Sequence, residues 1–560
     1  MKKLINGIPD VVRDALAGLV AIHPNLALLA DEDTVVRADI AAFRASGKVA
    51  IVTGGGAGHE PAHAGYVGRG MLTAAVSGDV FASPSTDAVY AALKAVGGPA
   101  GVLVIVKNYT GDRLNFGLAA EMAQADGIPV ELVVVDDDAA LGSAEATAGR
   151  RGIAGTVLVH KVAGAAAEAG RPLAEVAAAA RRAISLVASM GVALSPCTVP
   201  AAGQANFSLG DAEMELGLGI HGEAGVQRVD MAPAREVVAR LVAAIVADRR
   251  LSAGQSVALL VNNLGATPVM EMSIVAGDAL ADLRERGLVV ERAWSGTFLT
   301  AIDMAGVSLS VLPVDAALLA ALDAPTDAPA WPGGGALPAA PQVIAAPDLG
   351  HHALSGSGPV TPDALLDRLA VACRAIIAAE ATLTEMDRLV GDGDIGHSLA
   401  AGATAVLAGL PAQRGRPLDA VLHEIGLTLR RSVGGTSGPL YSIFAIAAGR
   451  ELQSGLADAG AFRRAFAAGT AALSRLGGAV PGDRTMVDAL VPAVEAMVGQ
   501  ASSIDDLLQR AATAARQGAL HTATLKPRRG RSSYIGERAL GHPDPGAMAV
   551  ALWLEAAAGK

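Results

Sequence analysis

The sequence predicts a multidomain protein in which an N-terminal α/β domain precedes a C-terminal all-α domain. The chain has 560 residues, which is more than one hydrophobic core usually serves. Between about residue 45 and residue 315, β-rich apolar runs alternate with Ala-rich helical patterns. This alternation is typical of an α/β domain. After Thr361 the apolar spacing is helical almost to the end. These patterns together predict two domains of different class.

Six apolar runs are the predicted strands of the first domain. Most of them are hydrophobic almost without interruption, which predicts strands buried on both faces under covering helices. The predicted strands are Val49 to Thr53, Val102 to Val106, Val130 to Val135, Thr156 to Val159, Val257 to Val261 and Val307 to Leu312.

A Pro, Ala and Gly-rich segment separates the two predicted domains. It contains Trp331-Pro-Gly-Gly-Gly and continues past His351 and His352, and such a composition cannot bury enough surface to offset its ordering entropy. We therefore predict domains at residues 1–330 and 361–560, with a linker at 331–360. About eight amphipathic segments make up the second domain.

Composition and charge narrow the class of protein. Hydrophobic residues make up 52% and charged residues 18% of the chain, with a formal net charge of −11; this excludes a disordered chain and disfavours a nucleic-acid surface. Apolar runs are interrupted by charges, prolines and glycines, so neither a signal peptide nor a membrane span is predicted. Cys197 and Cys373 are too few for a disulfide framework. We expect a cytoplasmic protein without a nucleic-acid or membrane partner.

Polar residues follow the predicted strands of the first domain. The first strand runs into Gly54, Gly55 and Gly56, and then into His59; the second delivers Lys107 and Asp112 at its end. Strand ends are where α/β proteins place ligand contacts, and glycines let a backbone approach a ligand closely, so we predict a Gly-rich ligand loop after the first strand. His221 stands among glycines further along. The alternatives are tight packing for the glycines and a turn histidine bonded to backbone for His221.

Three aspartates interleaved with glycines are the most informative stretch of the second domain. Asp387, Asp392 and Asp394 would not converge on one continuous helix, but the glycines allow the chain to fold back around one small volume. Their repulsion requires a cation, and all-oxygen ligands favour Mg²⁺. The spacing excludes an EF-hand. An exposed acidic cap and turn is the alternative.

Two loops that open predicted helices are candidates for phosphate binding. Gly434 to Tyr441 supplies Thr436 and Ser437 at a helix start, and Pro481 to Met486 repeats the pattern; backbone amides at a helix N-terminus favour anions. A basic segment from Lys526 to Arg531 could contribute a cation, although a charge run is usually a solvated face. These features indicate Mg-nucleotide binding on a helical scaffold.

In combination these motifs resemble one known family, the single-chain ATP-dependent dihydroxyacetone kinases, over nearly the whole chain. The motifs in the first domain are Gly-Gly-Gly-Ala-Gly-His-Glu-Pro-Ala-His, Lys-Asn-Tyr-Thr-Gly-Asp and Gly-Ile-His-Gly-Glu. Those in the second are Gly-Asp-Gly-Asp, Gly-Gly-Thr-Ser-Gly-Pro-Leu-Tyr, Pro-Gly-Asp-Arg-Thr-Met and Gly-Arg-Ser-Ser-Tyr-Ile-Gly-Glu-Arg. The resemblance implies a ketone-binding first domain and a second domain that is an eight-helix barrel carrying ATP.

The resemblance also implies roles for the residues of the first domain. His221 would add to the substrate carbonyl and form a hemiaminal, which selects ketones and aldehydes over glycerol. His59 would hydrogen-bond the substrate and assist proton transfer, and Asp112 would take the proton of the attacking hydroxyl. Gly54, Gly55 and Gly56 with Lys107 would hold the remaining oxygens.

For the second domain the resemblance implies that Asp387, Asp392 and Asp394 hold two Mg²⁺ ions on the ATP phosphates. Family members often carry His or Cys where this chain has Ile395, so any side-chain role at that position is lost. An ordinary surface or packing role is an alternative for His397. The implied nucleotide contacts are Ile395, Gly396, His397, Ser398, Thr436, Ser437, Gly477, Met486, Arg531, Asp544, Pro545 and Gly546.

Several alternatives stay open at this point. The substrate is expected to be dihydroxyacetone, with glyceraldehyde or a four-carbon ketose such as erythrulose as alternatives. Other reactions are a phosphoenolpyruvate-driven relay, against which the fusion of the two domains argues, and an FMN cyclase that cleaves FAD. A non-enzymatic alternative is a carbonyl-sensing regulator of transcription. The family resemblance also implies a homodimer formed through the first domain.

Overall fold

The computed structural model describes residues 2–141, 149–205, 207–221, 225–347, 356–453, 458–499 and 503–559. The chain divides into two compact units, Met1–Ile344 and Ala345–Lys560. The first unit is α/β and the second is helical, so the predicted fold classes are confirmed.

The first unit contains a mixed six-stranded sheet in the order β1-β2-β4-β3-β5-β6. Strands β4, β3, β5 and β6 run parallel to one another, whereas β1 and β2 are antiparallel additions at the edge. The strands are β1 (Leu26–Leu28), β2 (Thr34–Arg37), β3 (Ala50–Ala57), β4 (Ala74–Val80), β5 (Val102–Lys107) and β6 (Val130–Val135). The helices in this part of the chain are α1 (Val11–Ile22), α2 (Ile40–Ala45), α3 (Thr86–Val96), α4 (Thr110–Ala125), α5 (Thr156–Glu168) and α6 (Leu173–Leu186).

A second six-stranded sheet has the order β11-β10-β12-β7-β8-β9, and only the β10–β11 pair is parallel. Its strands are β7 (Ala188–Ala193), β8 (Glu213–Leu216), β9 (Gln227–Asp230), β10 (Ser256–Asn263), β11 (Val289–Gly296) and β12 (Gly306–Pro313). The helices here are α7 (Ala234–Arg249), α8 (Val269–Glu285) and α9 (Ala316–Asp323).

Burial on both faces of the central strands is confirmed. In β5, Leu103 packs into one hydrophobic cluster with α5 and α6, while Val104 packs into another with α3 and α4. All six residues of β5 are buried. A continuous apolar run is what such a strand needs, because neither of its faces meets water.

Five of the six predicted strands are confirmed, but Thr156 to Val159 is wrong. These residues begin helix α5. The β-branched Thr-Val-Leu-Val run suits a strand, yet every residue from Thr156 to Gly164 is buried. Because this part of the helix is buried on all sides, its apolar residues form no single helical stripe. The Asp137 carboxylate accepts hydrogen bonds from the N–H groups of Ile153 and Gly155 just before the helix begins.

The end of the first unit includes residues whose composition predicts a linker. Trp331 is buried and its ring lies 4.9 Å from that of Trp294, measured between centroids. The Trp294 Nε1–H donates to the carbonyl of Gly333, and the N–H of Ala293 donates to that of Gly335. Residues 331–335 therefore pack on the first unit. His351 and His352 lie outside the described residues.

The described part of the second unit contains nine α-helices, against about eight segments in the sequence. They are α10 (Asp363–Ala378), α11 (Glu380–Val390), α12 (Ile395–Gly409), α13 (Leu418–Ser432), α14 (Ser437–Glu451), α15 (Ala459–Gly477), α16 (Val487–Ala496), α17 (Ile504–His521) and α18 (Pro545–Ala557). The predicted helix starts after Thr436 and Met486 are confirmed.

One helical stretch of the described chain, Ile395–Gln413, is long and apolar enough to cross a membrane by length and composition. Its buried residues include Leu399, Ala403 and Val406. They pack against apolar side chains of neighbouring helices, as in the core of a helical domain.

Replacing Trp331 by Ala tests whether residues 331–335 stabilise the first unit. We expect Trp331→Ala to lower the free energy of unfolding by about 3–5 kcal/mol, because the change removes a buried aromatic ring and leaves a cavity. Denaturant unfolding followed by tryptophan fluorescence and circular dichroism measures this. Val343→Ala, at a side chain that is 91% exposed, is the control. Equal stability of the two variants would contradict the assignment.

Candidate active site

The three glycines of the first motif lie inside strand β3, not in a turn after it, so the predicted Gly-rich loop is corrected to a strand end. Gly54, Gly55 and Gly56 pair with β4. A Cβ on Gly54 would lie 2.2 Å from the Val76 carbonyl oxygen, and one on Gly56 would lie 2.7 Å from a backbone nitrogen. Close backbone contacts therefore exclude side chains at both positions.

Gly55 faces the candidate site. Its φ of +146° disfavours other residues, and an ideal Cβ there would lie 2.9 Å from Nζ of Lys107 and 3.2 Å from Oδ2 of Asp112. Lys107 ends strand β5 and Asp112 lies in the first turn of α4. The parallel strands β3 and β5 thus bring these groups to one edge of the sheet.

Lys107 and Asp112 are both buried, at 0% and 4% exposure. Burial lowers the pKa of Lys107, and the negative charge of Asp112 opposes that shift. Asp112 also accepts a hydrogen bond at Oδ1 from the Ser83 hydroxyl, at 2.5 Å. Oδ2 is the carboxylate oxygen on the side of Gly55.

His59 and His221 face each other at the same edge, with ring centroids 4.9 Å apart. The His221 ring also lies 4.4 Å from that of Tyr109 and 5.3 Å from that of Phe81. His59 stacks on Phe81 at 5.1 Å. Aromatic rings thus surround the His221 imidazole and restrict its orientation.

The hydrogen bonds of His59 fix its tautomer. Its Nδ1 lies 2.7 Å from the Thr300 carbonyl oxygen, which can only accept, so Nδ1 carries the proton. Burial lowers the pKa of His59 well below its usual value, with smaller contributions from Lys107 and His221. The neutral ring therefore presents a bare Nε2, a buried acceptor without a hydrogen-bond partner in the described protein. Such an atom can accept a proton or a hydrogen bond from a bound hydroxyl.

Of the residues predicted for the first site, Gly55, His59, Lys107, Asp112 and His221 lie at this sheet edge, whereas Gly54 and Gly56 serve close backbone packing. Three further residues that touch it were not singled out from the sequence, namely Ser83, Thr300 and Phe81. Thr300 and the segment Phe81–Ser83 lie in loops that are distant in sequence from the motifs they contact. No local sequence pattern identifies them as site residues.

The three aspartates of the second unit converge as the glycine pattern predicts. Helix α11 ends at Val390 and α12 begins at Ile395, with Gly393 at a φ of +77° in the turn. Carboxylate oxygens of Asp387, Asp392 and Asp394 lie within 4.8 Å of one another. Asp387 also accepts hydrogen bonds from the N–H groups of Asp394 and Ile395. This all-oxygen donor set fits Mg²⁺.

A cavity of about 570 Å³ adjoins the aspartates. Its wall includes the starts of helices α14, α16 and α18, whose N–H groups favour an anion. Of the residues predicted to contact a nucleotide, those that line it are Ile395, Ser398, Thr436, Ser437, Gly477, Met486, Asp544, Pro545 and Gly546.

Two predicted contacts do not line this cavity. A Cβ on Gly396 would lie 2.2 Å from the Glu380 carbonyl oxygen, so this glycine is used for helix packing. The His397 side chain is 83% exposed and its Nδ1 lies 3.2 Å from Glu380 Oε1. The backbone of Arg531 begins a short 3-10 helix, but its side chain lies outside the described part of the chain.

A buried ion pair closes one side of the cavity. Arg484 is fully buried and donates to the carbonyl oxygens of Ala539 and His542, while Asp544 caps α18 by accepting from the Ala547 N–H. Burial raises the pKa of Asp544 to about 6, which Arg484 at 4.0 Å opposes. Arg484 was given no role from the sequence. Arg529, which also lines the cavity, belongs to the basic segment from Lys526 to Arg531 that the sequence offered as a source of a cation.

Comparison with known proteins identifies both units. A Dak1 domain model matches residues 17–330 and a DAK2 domain model matches residues 389–559. A relative from Solanum lycopersicum, provisionally named 3,4-dihydroxy-2-butanone kinase, is 46% identical over 100% of this chain and 98% of its own. A triokinase/FMN cyclase from Homo sapiens is 42% identical, over 99% and 98% of the two chains.

Solved structures agree with these matches. The crystal structure of the dihydroxyacetone kinase of C. freundii superimposes with a TM-score of 0.65 at 37% identity, covering 100% of this chain and 99% of that one. The same enzyme in complex with AMP-PNP and Mg²⁺ gives a TM-score of 0.63 at 38% identity, with the same coverage.

Both domain models, the full-length relatives and the shared fold show that this chain belongs to the dihydroxyacetone kinase family, with its Dak1 and DAK2 domains fused in one polypeptide.

Proposed function

We propose that this chain is an ATP-dependent kinase that phosphorylates the terminal hydroxyl of a short ketose, with dihydroxyacetone as the simplest substrate. The observation that carries this proposal is the pairing of His59 and His221 beside Lys107, Asp112 and Gly55. This group combines a nucleophile, an acceptor, a cation and a carboxylate around a strand end where a side chain would not fit. Relatives named dihydroxyacetone kinase and triokinase support it.

His221 is the proposed nucleophile toward the ketone. An imidazole nitrogen bonds to the carbonyl carbon, the C=O π bond breaks, and the proton lost from the ring ends on the former carbonyl oxygen as a hydroxyl. The product is a neutral hemiaminal. A polyol without a carbonyl has no electrophilic carbon for this step, so the histidine selects ketoses and aldoses.

His59 and Lys107 orient the bound sugar. With Nδ1–H committed to Thr300, His59 offers Nε2 to a substrate hydroxyl. Lys107 supplies N–H donors beside Gly55. Asp112 is placed to take the proton from the terminal hydroxyl as its oxygen attacks phosphorus, with Ser83 holding Oδ1 and leaving Oδ2 toward the site.

The second unit is the proposed ATP site. Asp387, Asp392 and Asp394 would hold Mg²⁺, which neutralises phosphate charge during in-line transfer. We propose two ions, because three carboxylates, two of them exposed, offer more oxygens than one ion shared with a nucleotide needs. Thr436, Ser437 and Gly546, which line the cavity, would bind phosphate or nucleotide oxygens through N–H and hydroxyl groups.

The proposal includes the range of short sugars that the enzyme accepts. The name of the Solanum relative favours testing a four-carbon ketose beside dihydroxyacetone and glyceraldehyde.

We also propose that the protein is a homodimer and that it acts in the cytoplasm, where ATP is abundant. Val269, Met270 and Ile274 on α8 are 82%, 77% and 50% exposed and offer an apolar surface for association. Light scattering that gives a monomer mass would contradict the dimer.

A second candidate activity is FMN cyclase, in which a hydroxyl of FAD attacks its own pyrophosphate and AMP leaves. The 42% identity to a triokinase/FMN cyclase over nearly the whole chain favours testing it. We expect Asp112→Asn to abolish ketose phosphorylation but to leave FAD cleavage unchanged, because Asp112 belongs to the first unit. Chromatography of the flavin products measures this; parallel loss of both activities would contradict it.

Removing the proposed nucleophile should abolish turnover. We expect His221→Ala to lower kcat for dihydroxyacetone by about 10²-fold or more, since both covalent capture and positioning are lost. His23→Ala, in a histidine that ends α1, should change kcat less than about twofold. An ATP-coupled assay with dihydroxyacetone, glyceraldehyde, erythrulose and glycerol measures both. Unchanged turnover and unchanged rejection of glycerol in His221→Ala would contradict the proposed role.

The carboxylate cluster should set the Mg²⁺ requirement. We expect Asp392→Asn to lower kcat/KM for ATP at least about tenfold and to raise the Mg²⁺ concentration for half-maximal rate, because one anionic ligand is lost. Glu385→Gln is the matched control, since Glu385 is exposed on the preceding helix and pairs with Arg388. Activity that survives removal of divalent ions would contradict a magnesium-dependent kinase.

A further inference from the structure

A line of three buried side chains runs behind Gly55. The Lys107 Nζ lies 2.9 Å from Nε2 of His63, and the His63 Nδ1 lies 3.1 Å from Nε2 of His160. Their exposures are 0%, 6% and 0%. Lys107 ends β5, His63 follows β3 and His160 lies in α5. Three separate elements thus converge on one hydrogen-bonded chain next to the candidate substrate site.

Both imidazoles in this line are neutral near neutral pH. Burial lowers the pKa of His160 to about 3 and that of His63 well below its usual value, and the positive charge of Lys107 lowers both further. Each ring therefore carries one N–H. The Lys107 ammonium can only donate, so it donates to Nε2 of His63. The proton of His63 is then on Nδ1, which donates to Nε2 of His160.

This direction of donation leaves the proton of His160 on Nδ1, a buried atom without a hydrogen-bond partner in the described protein. An unsatisfied buried donor costs free energy. The unsatisfied donor lies on His160, at the end of the hydrogen-bonded chain that is remote from Lys107. The packing of α5 alone therefore does not explain this hydrogen-bonded chain. The chain provides the Lys107 ammonium with an acceptor in a fixed position, Nε2 of His63.

An uncharged acceptor has a specific consequence for Lys107. One N–H of the ammonium is directed to His63, so the other two are available on the side of Gly55 and Asp112, where Nζ lies 2.9 Å from an ideal Gly55 Cβ. A carboxylate in place of His63 would neutralise the cation, whereas an imidazole fixes its direction and leaves its charge available to an electron-rich substrate oxygen.

We propose that His63, held in place by His160, is a positioning residue for Lys107 that directs the ammonium toward the ketose and sustains the positive charge of this buried side chain. This inference rests on the proposed contact between Lys107 and the substrate. Neither histidine touches the reacting atoms in this account; both act through the lysine.

The titration of Lys107 distinguishes positioning from packing. The ionisable groups around it are Asp112 on α4, His59 and His63 after β3, and His160 on α5. His63→Leu removes the hydrogen bond that stabilises the charged form, so the pKa of Lys107 should fall. The alkaline limb of the kcat/KM profile for dihydroxyacetone should then move to lower pH by about one unit.

The experiment compares His63→Leu, His63→Gln and the unchanged full-length chain in steady-state kinetics with ATP and dihydroxyacetone across pH. We expect His63→Leu to lower kcat/KM for dihydroxyacetone about tenfold or more, mainly through KM, with the KM for ATP within about twofold. His63→Gln keeps an acceptor oxygen and should recover most of the loss. His160→Leu should show a smaller shift in the same direction.

An equal loss in His63→Leu and His63→Gln with an unmoved alkaline limb would overturn the proposal and leave a packing role only. Selective ¹⁵N-lysine labelling with NMR detection of Nζ, assigned by Lys107→Met, reads the titration of Lys107 without any turnover. A lower pKa in His63→Leu supports the proposal and an unchanged pKa overturns it. If the unchanged chain fails to phosphorylate dihydroxyacetone, the proposed function fails separately, and this NMR readout still decides the role of His63.

Discussion

The first site depends on keeping a lysine cation where water is excluded. Lys107 has no exposed surface, and burying a charge is costly unless it is paired and hydrogen-bonded. Asp112 supplies an opposite charge, His63 an acceptor, and Gly55 the space for the ammonium. The parallel strands β3 and β5 deliver these groups to one sheet edge, so the electrostatics of the site follow from the topology of the sheet.

The two units handle charge in opposite ways. In the first, burial lowers the pKa of His59, His63 and His160, so these imidazoles are neutral and can accept a proton or a hydrogen bond. In the second, Asp392 and Asp394 are exposed and gather with Asp387 around a turn that contains Gly393, which suits a hydrated divalent ion. A small neutral sugar and a highly charged nucleotide require these two different solutions.

Motifs with local geometry were predictable from the sequence. The turn at Gly393 and the helix starts after Thr436 and Met486 follow from residue spacing, and the structure confirms them. Gly54 to Gly56 were assigned to a ligand loop after the strand. The neighbours that leave no room for a side chain are Val76 for Gly54, Lys107 for Gly55 and Ala82 for Gly56, and these are tertiary contacts. The helix that begins at Thr156 was missed because tertiary contacts bury it on all sides, and a helix buried in this way has no amphipathic stripe.

The proposed covalent bond between His221 and the ketone is tested most directly by NMR of [2-¹³C]dihydroxyacetone bound, without ATP, to the protein labelled with ¹⁵N-histidine. We expect a tetrahedral carbon resonance with a one-bond coupling to an imidazole nitrogen, which is absent in His221→Ala. A bound ketone that keeps its carbonyl resonance, in a chain that turns over when ATP is added, would contradict the account.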